Sequence, residues 1–293
     1  MTTTVHSAQG RDCSSWQSAM NLTGLDFVIV RATIGDGGLT ANVVSELAAL
    51  AAVEPMRGLF TASGPGAVTD GVDARFGQFW AQAAAAGIIR GAYHFFYPGQ
   101  SPAAQASLFV STVKAHGLRP GDVLVCDSET YTSDVDGRTL AFCQAVETLA
   151  GRSCPVIPYT NRDVGQHLAR TAASYPDVWF AHPSGTAPDA GFIAPFKHWR
   201  FWQWGTQGGV DADAYNGTAA DLAAWIGGYV KGPDMANLPG RWRQIISVTP
   251  TVAGYLLIGM GTDGALYELA YDAQTEAWGN LARISDPAVI AAS

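Results

Sequence analysis

Up to about Ile226, short unbroken apolar runs alternate with longer stretches whose apolar residues recur every three or four positions. The runs predict strands buried on both faces, at Asp26–Thr33, Arg90–Tyr97, Asp122–Glu129, Pro155–Thr160, Val178–His182 and Trp199–Trp204. The periodic stretches predict helices at Phe76–Ala86, Pro102–His116, Gly137–Ala150 and Asp163–Ala173. Ser101-Pro102 supplies an N-cap and a first helical position for the second helix, and Gly117 closes it. Strands alternating with helices predict an α/β fold with a parallel sheet covered by helices, and so many units favour a closed (β/α) barrel over an open sheet. In such barrels the functional groups lie at the C-terminal ends of the strands.

The pattern changes after a linker at 229–239 centred on Gly232-Pro233. Trp242–Val248, Tyr255–Met260, Ala265–Tyr271 and Ala277–Leu281 read as short strands, with a hairpin turn at Thr262-Asp263-Gly264. The expected organisation is thus a barrel over 1–228 and a small all-β appendage over 240–293, which serves binding or assembly. The appendage loosely resembles one blade of a β-propeller or lectin-like repeat. One blade cannot bury both faces alone, so it is expected to pack on the barrel or on copies of itself.

Composition narrows the function. Of 293 residues, 48% are hydrophobic and only 14% charged, which describes a core-rich globular protein. The net charge of −8 and the lack of a Lys/Arg cluster argue against nucleic acid or an anionic membrane surface as a partner. The N-terminus has no basic segment followed by an apolar one, so no secretory signal is expected, and apolar stretches such as Leu47–Val53 are too short to span a bilayer. Cys13, Cys126, Cys143 and Cys154 have no zinc-binding spacing and read as small buried hydrophobes, with a Cys143–Cys154 bridge as the lesser alternative. No metal or other cofactor is implied.

The chemistry concentrates at Asp127-Ser128-Glu129, where the run Val123–Cys126 ends. Residues two apart on a strand face the same way, so both carboxylates project together from its tip. Their mutual repulsion is expected to keep one protonated near neutral pH, as a general acid requires. The competing reading is a strand that ends in solvent with two ordinary surface acids.

Several segments extend this motif: Gly10-Arg-Asp12-Cys-Ser14-Ser-Trp16-Gln17, Leu25–Thr33, Gly71-Val-Asp73, Arg90–Phe95, Ile157–Asn161, Val178–Ala181, Phe201–Trp204 and Val210-Asp211-Ala-Asp213-Ala-Tyr215-Asn-Gly217. In this order and spacing, over about residues 8–226, the chain resembles the glycoside hydrolase family 25 lysozymes, which are common among phage endolysins and bacterial wall hydrolases. The resemblance implies an irregular barrel that cleaves, with retention, the β-1,4 bond from N-acetylmuramic acid to N-acetylglucosamine in peptidoglycan. It implies Glu129 as general acid, Asp127 beside it, and Asp12 and Asp211 as two further active-site acids. Whether Asp127 or the substrate's N-acetyl oxygen attacks is left open by two adjacent acids. Action on the wall without a signal implies synthesis in a bacterial host cytoplasm, followed by holin release or delivery with a virion.

Aromatic residues gather at the same strand ends: Tyr93, Phe95, Tyr97, Tyr159, Trp179, Trp202 and Trp204. They read as sugar-stacking platforms or as barrel core. Tyr93, Phe95, Tyr159 and Gln203 are expected to contact substrate, whereas Trp179 and Trp204 are assigned to the core. His94 is either a base or a structural histidine. Arg31 either pairs with a catalytic acid and contacts substrate or forms a buried structural ion pair.

Two features depart from the family pattern. Residues 36–70 form an insertion with a helical stretch at Val43–Val53, a strand at Arg57–Thr61 and a Gly64-Pro-Gly66 turn; it is expected to reshape or cover the cleft or to dock a neighbour. Its Gly35-Asp-Gly37-Gly38 run lacks the context of a phosphate-binding loop. Ile34 also stands where a polar residue is usual. A second reading is a virion tail-tip or baseplate component whose barrel binds or locally degrades wall glycan. That reading allows homo-oligomer or tail-protein contacts through 240–293 or the insertion.

Overall fold

The computed structural model describes residues 8–35, 68–229, 242–251, 254–263, 265–272, 277–279 and 282–283. The helix, strand and turn expected within 36–67, and most of the 229–239 linker, lie outside the described residues. The chain divides into two compact units. One holds the residues up to Trp225 except Arg119–Gly121 and Gly151–Cys154, and the other holds those two loops and the residues from Ile226 onward.

The first unit is a closed barrel. Its strands are β1 (Gln9–Cys13), β2 (Phe27–Ile34), β5 (Ile89–Phe95), β6 (Val123–Asp127), β7 (Val156–Thr160), β8 (Asp177–Ala181), β9 (His198–Gln207) and β10 (Val210–Tyr215). They run in the order β1-β2-β5-β6-β7-β8-β9-β10, and β10 pairs back to β1. Every neighbouring pair is parallel except those of β10, which is antiparallel to both β9 and β1. The alternation of apolar runs and helices thus gives the expected α/β barrel. The reversed strand was not expected, because Val210-Asp-Ala-Asp-Ala-Tyr215 has no apolar run. It joins β9 through Gly208 and Gly209, both with positive φ (67° and 79°), a two-residue turn that favours glycine.

Side-chain parity separates interior from exterior. On β6, Asp127 faces the barrel interior, whereas Ser128 just beyond it turns outward to bond Thr139 (2.9 Å) on α3 (Val135–Ala150). The floor is packed by Phe27 and Phe201, whose rings meet edge-on at 4.9 Å. Gly10 makes room for them, since a Cβ there would lie 2.2 Å from the Phe27 ring. Outside, α1 (Phe76–Ala86) buries Phe76, Phe79, Trp80 and Ala83 on one stripe and ends at Gly87 in the left-handed conformation. The next helix, α2 (Pro102–Ala115), is capped by Ser101, whose side chain accepts from the Ala104 N–H.

The single helix expected at 163–173 is two short ones, α4 (Arg162–Gly165) and α5 (Ala169–Ser174). The cause of the break is a side chain from another helix. Asp136 on α3 accepts from the backbone N–H groups of Arg170 (2.8 Å) and Thr171 (2.9 Å), so it caps the second piece as a new start. A two-strand hairpin, β3 (Val68–Thr69) with β4 (Val72–Asp73), turns through Asp70 (φ 49°) and Gly71 (φ 77°) and sets Asp73 against β2. Ile34 at the end of β2 packs with Val68 and Phe95, which gives its departure from a polar residue an apolar reason.

In the second unit, β11 (Trp242–Thr251), β12 (Gly254–Gly261), β13 (Leu266–Asp272) and β14 (Ala277–Trp278) form an antiparallel meander, and β15 (Ala282–Arg283) also pairs with β13. Leu257, Leu269 and Tyr271 are buried. Among the described residues, no helix is long and apolar enough to cross a membrane.

Candidate active site

The interior-facing residues near the strand tips enclose a cavity of about 590 Å³. The nine residues assigned from the sequence to catalysis or substrate contact line it: Asp12, Arg31, Tyr93, Phe95, Asp127, Glu129, Tyr159, Gln203 and Asp211. Ser14, Trp16, Gln17, Asn161, Trp179, Ala181 and Pro183 complete the wall. Trp179, assigned to the core, is indeed buried but also lines the cavity; it packs on Tyr159 at 4.4 Å and Tyr93 at 6.3 Å. Trp202 and Trp204 belong to the hydrophobic cluster outside the barrel interior.

Each acid is placed by backbone pairing. Asp127 is the last residue of β6, and its own carbonyl accepts from the Phe96 N–H (2.8 Å). Asp12 and Asp211 stand directly opposite each other on β1 and β10. Among the described residues, Asp127 Oδ1 has no hydrogen-bond partner. Glu129 is half-buried and receives the side-chain amide of Asn161 (3.4 Å). The Asn161 oxygen is committed to capping α4 through the Val164 N–H (3.0 Å), so its amide nitrogen is the group left to face Glu129. Asn161 was only part of a matched motif in the sequence; its cap position before a helix was the available signal.

The electrostatics are those of acids taken out of water. Burial pushes Asp127 well above the usual carboxylate range, with Glu129 and Asp12 adding to the effect and Arg31 opposing it. Burial likewise raises Glu129, against the lowering effect of the hydrogen bond from Asn161. Asp211 is raised by burial. Asp12 is pushed up to about 8, first by burial and then by Asp211, while the hydrogen bonds from Gln203 and Asp213 pull the other way. Repulsion between Asp127 and Glu129, the cause expected from the sequence, therefore stands second to desolvation.

A hydrogen-bonded chain links the walls: the Tyr159 hydroxyl donates to Gln203 Oε1 (2.8 Å), and Gln203 Nε2 donates to Asp12 Oδ2 (2.7 Å). Arg31 pairs with Asp73: its Nε lies 2.8 Å from Asp73 Oδ2, and both side chains are buried. Ser15 supports this pair through its N–H (3.0 Å) and hydroxyl (2.9 Å), both donated to Asp73. Of the two readings of Arg31, the ion-pair one describes its bond, although the guanidinium still borders the cavity. His94 does not line the cavity. It is fully buried between Thr33 (2.8 Å) and Gln105 (3.0 Å) and stacks on Phe142, and burial lowers it to about 4, which marks a neutral structural histidine. The four cysteines are free and buried, so the Cys143–Cys154 bridge is not formed. Among the described residues, no three His, Cys, Asp or Glu side chains are arranged to hold a metal ion.

The model of the glycosyl hydrolases family 25 matches residues 67–213, a span that includes Asp127, Glu129 and Asp211. The chain belongs to this family. It is 32% identical over 171 residues to a protein of Escherichia coli (strain K12), YegX, which carries no assigned role; the match covers 55% of this chain and 61% of that protein. The chain thus matches about three fifths of the length of that relative. It is 28% identical over 252 residues to Lysozyme M1 of Streptomyces globisporus, covering 74% of this chain and 70% of that protein. Among solved structures, the muramidase from Acremonium alcalophilum superposes with a TM-score of 0.55 at 23% identity, over 75% of this chain and 99% of that one. A family 25 glycosyl hydrolase from Bacillus anthracis gives 0.52 at 18%, over 76% and 95%. At these identities both likenesses are ones of fold.

Proposed function

We propose that this member of family 25 is a peptidoglycan hydrolase, an N-acetylmuramidase that cleaves the β-1,4 bond between N-acetylmuramic acid and N-acetylglucosamine with retention. The observation that carries the proposal is the convergence of Asp12, Asp127, Glu129 and Asp211 on one sugar-sized cavity with aromatic walls. The names of two relatives, a lysozyme and a muramidase, support the same substrate class.

Glu129 is the general acid. It is half-buried, raised in pKa and steered by Asn161, so it can hold a proton for the departing glycosidic oxygen. Asp127 lies deeper on the cavity wall, with Oδ1 free of hydrogen bonds to described residues and so available to the developing positive charge. Its carboxylate attacks the anomeric carbon, or else it orients the substrate's acetamido oxygen to do so. Water then opens the intermediate with Glu129 acting as base. Tyr93, Phe95, Tyr159 and Trp16 offer ring faces and edges to the sugars, and Gln203 and Arg31 offer donors at the wall.

The test is reducing-sugar release and turbidity loss from Gram-positive cell walls. Glu129→Gln is expected to lower the rate by about 10²–10⁴-fold. A wild-type protein as inert as Glu129→Gln refutes the proposal. Substrates lacking the N-acetyl group separate the two nucleophiles, because only direct attack by Asp127 survives its loss.

A further inference from the structure

Directly behind the wall formed by Asp12 lies a fifth acid that does not reach the cavity. Asp213, two residues along β10 from Asp211, is fully buried. Its Oδ1 accepts from the indole N–H of Trp179 (2.9 Å). Its Oδ2 receives no N–H or O–H from any described residue; Asp213 pairs with Gly10 on β1, two residues from Asp12, and the Asp12 carboxyl is a hydrogen-bonding neighbour of the Asp213 side chain. A bare carboxylate oxygen so placed would be both charged and unsatisfied in a dry interior.

Once Asp12 has ionised, one placement of the remaining proton satisfies every atom. With hydrogen on Asp213 Oδ2, that oxygen becomes a donor to Asp12, Oδ1 remains an acceptor for Trp179, and Asp12 accepts from both Asp213 and Gln203 Nε2. The reverse placement leaves Asp213 Oδ2 able only to accept, and gives the proton to the more exposed of the two acids (6% against 0%). We propose that Asp213 is a positioning residue for the hydrolytic site: a neutral carboxylic acid that donates its Oδ2 hydrogen to Asp12 and fixes the direction of the Asp12 carboxylate at the cavity wall. Its effect on turnover rests on the muramidase reading; its protonation does not.

The groups that bear on this pair come from every neighbouring strand. Cys13 lies beside it on β1 and Asp211 on β10, Asp127 and Glu129 act from the end of β6, and Tyr159 acts from β7. The nearest cation in the wall, Arg31, is paired with Asp73. The pair therefore releases its protons in two steps, the first from Asp12.

Two measurements test this. The first is an infrared difference spectrum, Asp213→Asn minus wild type, at a pH above about 8, where Asp12 has ionised. Loss of a protonated-carboxyl C=O band is expected, and loss of a carboxylate band would overturn the proposal. The second is the pH profile of wall hydrolysis. Asp213→Ala is expected to lower kcat about tenfold, the effect of removing one buried donor, and to move the ionisation of Asp12 to higher pH. Asp213→Asn, whose amide donates and accepts at the same two positions, is expected to rescue both. An alanine variant with wild-type rate and profile, or an asparagine variant as impaired as alanine, would also overturn it. If wild type fails to hydrolyse wall at all, the functional reading falls, and the infrared result still decides where the proton sits.

Discussion

Replacing Asp12 by Asn should make the protein more stable while disabling the site. Burial and Asp211 push the Asp12 carboxyl from 3.8 up to about 8. The folded value lies above the unfolded one, so between these two pH values the fold holds a proton that the unfolded chain has released. Stability therefore falls as pH rises through that window and levels off above about 8. At pH 7 about three of those pH units have been crossed, which at 1.36 kcal/mol each is about 4 kcal/mol. Asn has no proton to lose, and its carbonyl still accepts from Gln203. Asp213 and Asp211 share the same low-dielectric corner, so removing one acid relieves only part of the cost, about 2–4 kcal/mol. For a domain of this size that raises Tm by roughly 5–10 °C. Thermal unfolding of wild type and Asp12→Asn at pH 4, 5.5 and 7.5 checks this. The gap should be widest at pH 7.5 and close at pH 4. Equal Tm values at pH 7.5, or a gap that persists at pH 4, would refute the electrostatic account of the site.

His94 should act in the opposite sense. Its folded value of about 4 lies below the ordinary 6.5, so stability is intact above 6.5 and falls by about 3 kcal/mol as pH drops towards 4. His94→Gln should remove that slope in urea titrations at a series of pH values. Asp73→Ala strands the Arg31 guanidinium and the N–H groups of Ser15 and Arg75, and should cost about 3–5 kcal/mol in chemical denaturation, with a raised KM because Arg31 borders the cavity. Gly10→Ala would force a methyl group to 2.2 Å from the Phe27 ring and should cost about 1–3 kcal/mol, part of which Phe27→Leu recovers.

The barrel was legible because its strands are buried on both faces and their residues show it. Helix Phe76–Ala86 was readable to the residue, since Phe76, Phe79, Trp80 and Ala83 lie on one stripe and a glycine ends it. The acid positions were legible for a different reason: carboxylates at the end of an apolar strand conflict with their surroundings unless they are used. What stayed hidden depends on partners distant in the chain. Nothing near Val210–Tyr215 marks it as a strand, because its inward positions are acids and its outward ones alanines. The break between α4 and α5 is imposed by Asp136, and Arg31 finds Asp73 across 42 residues. The weight of Asp213 appears only when Trp179 and Asp12 are seen around it.

The backward run of β10 has a consequence for how such a cleft changes over time. In a wholly parallel barrel, residues at the catalytic rim follow the strand that carries them. Here Asp211 comes at the start of its strand and hangs from a two-glycine turn. Extra residues spliced in at Gly208-Gly209 would lengthen the turn beside Asp211 and leave both flanking ladders in register. The surroundings of Asp211 can thus be retuned at that corner while the acid cluster stays where it is.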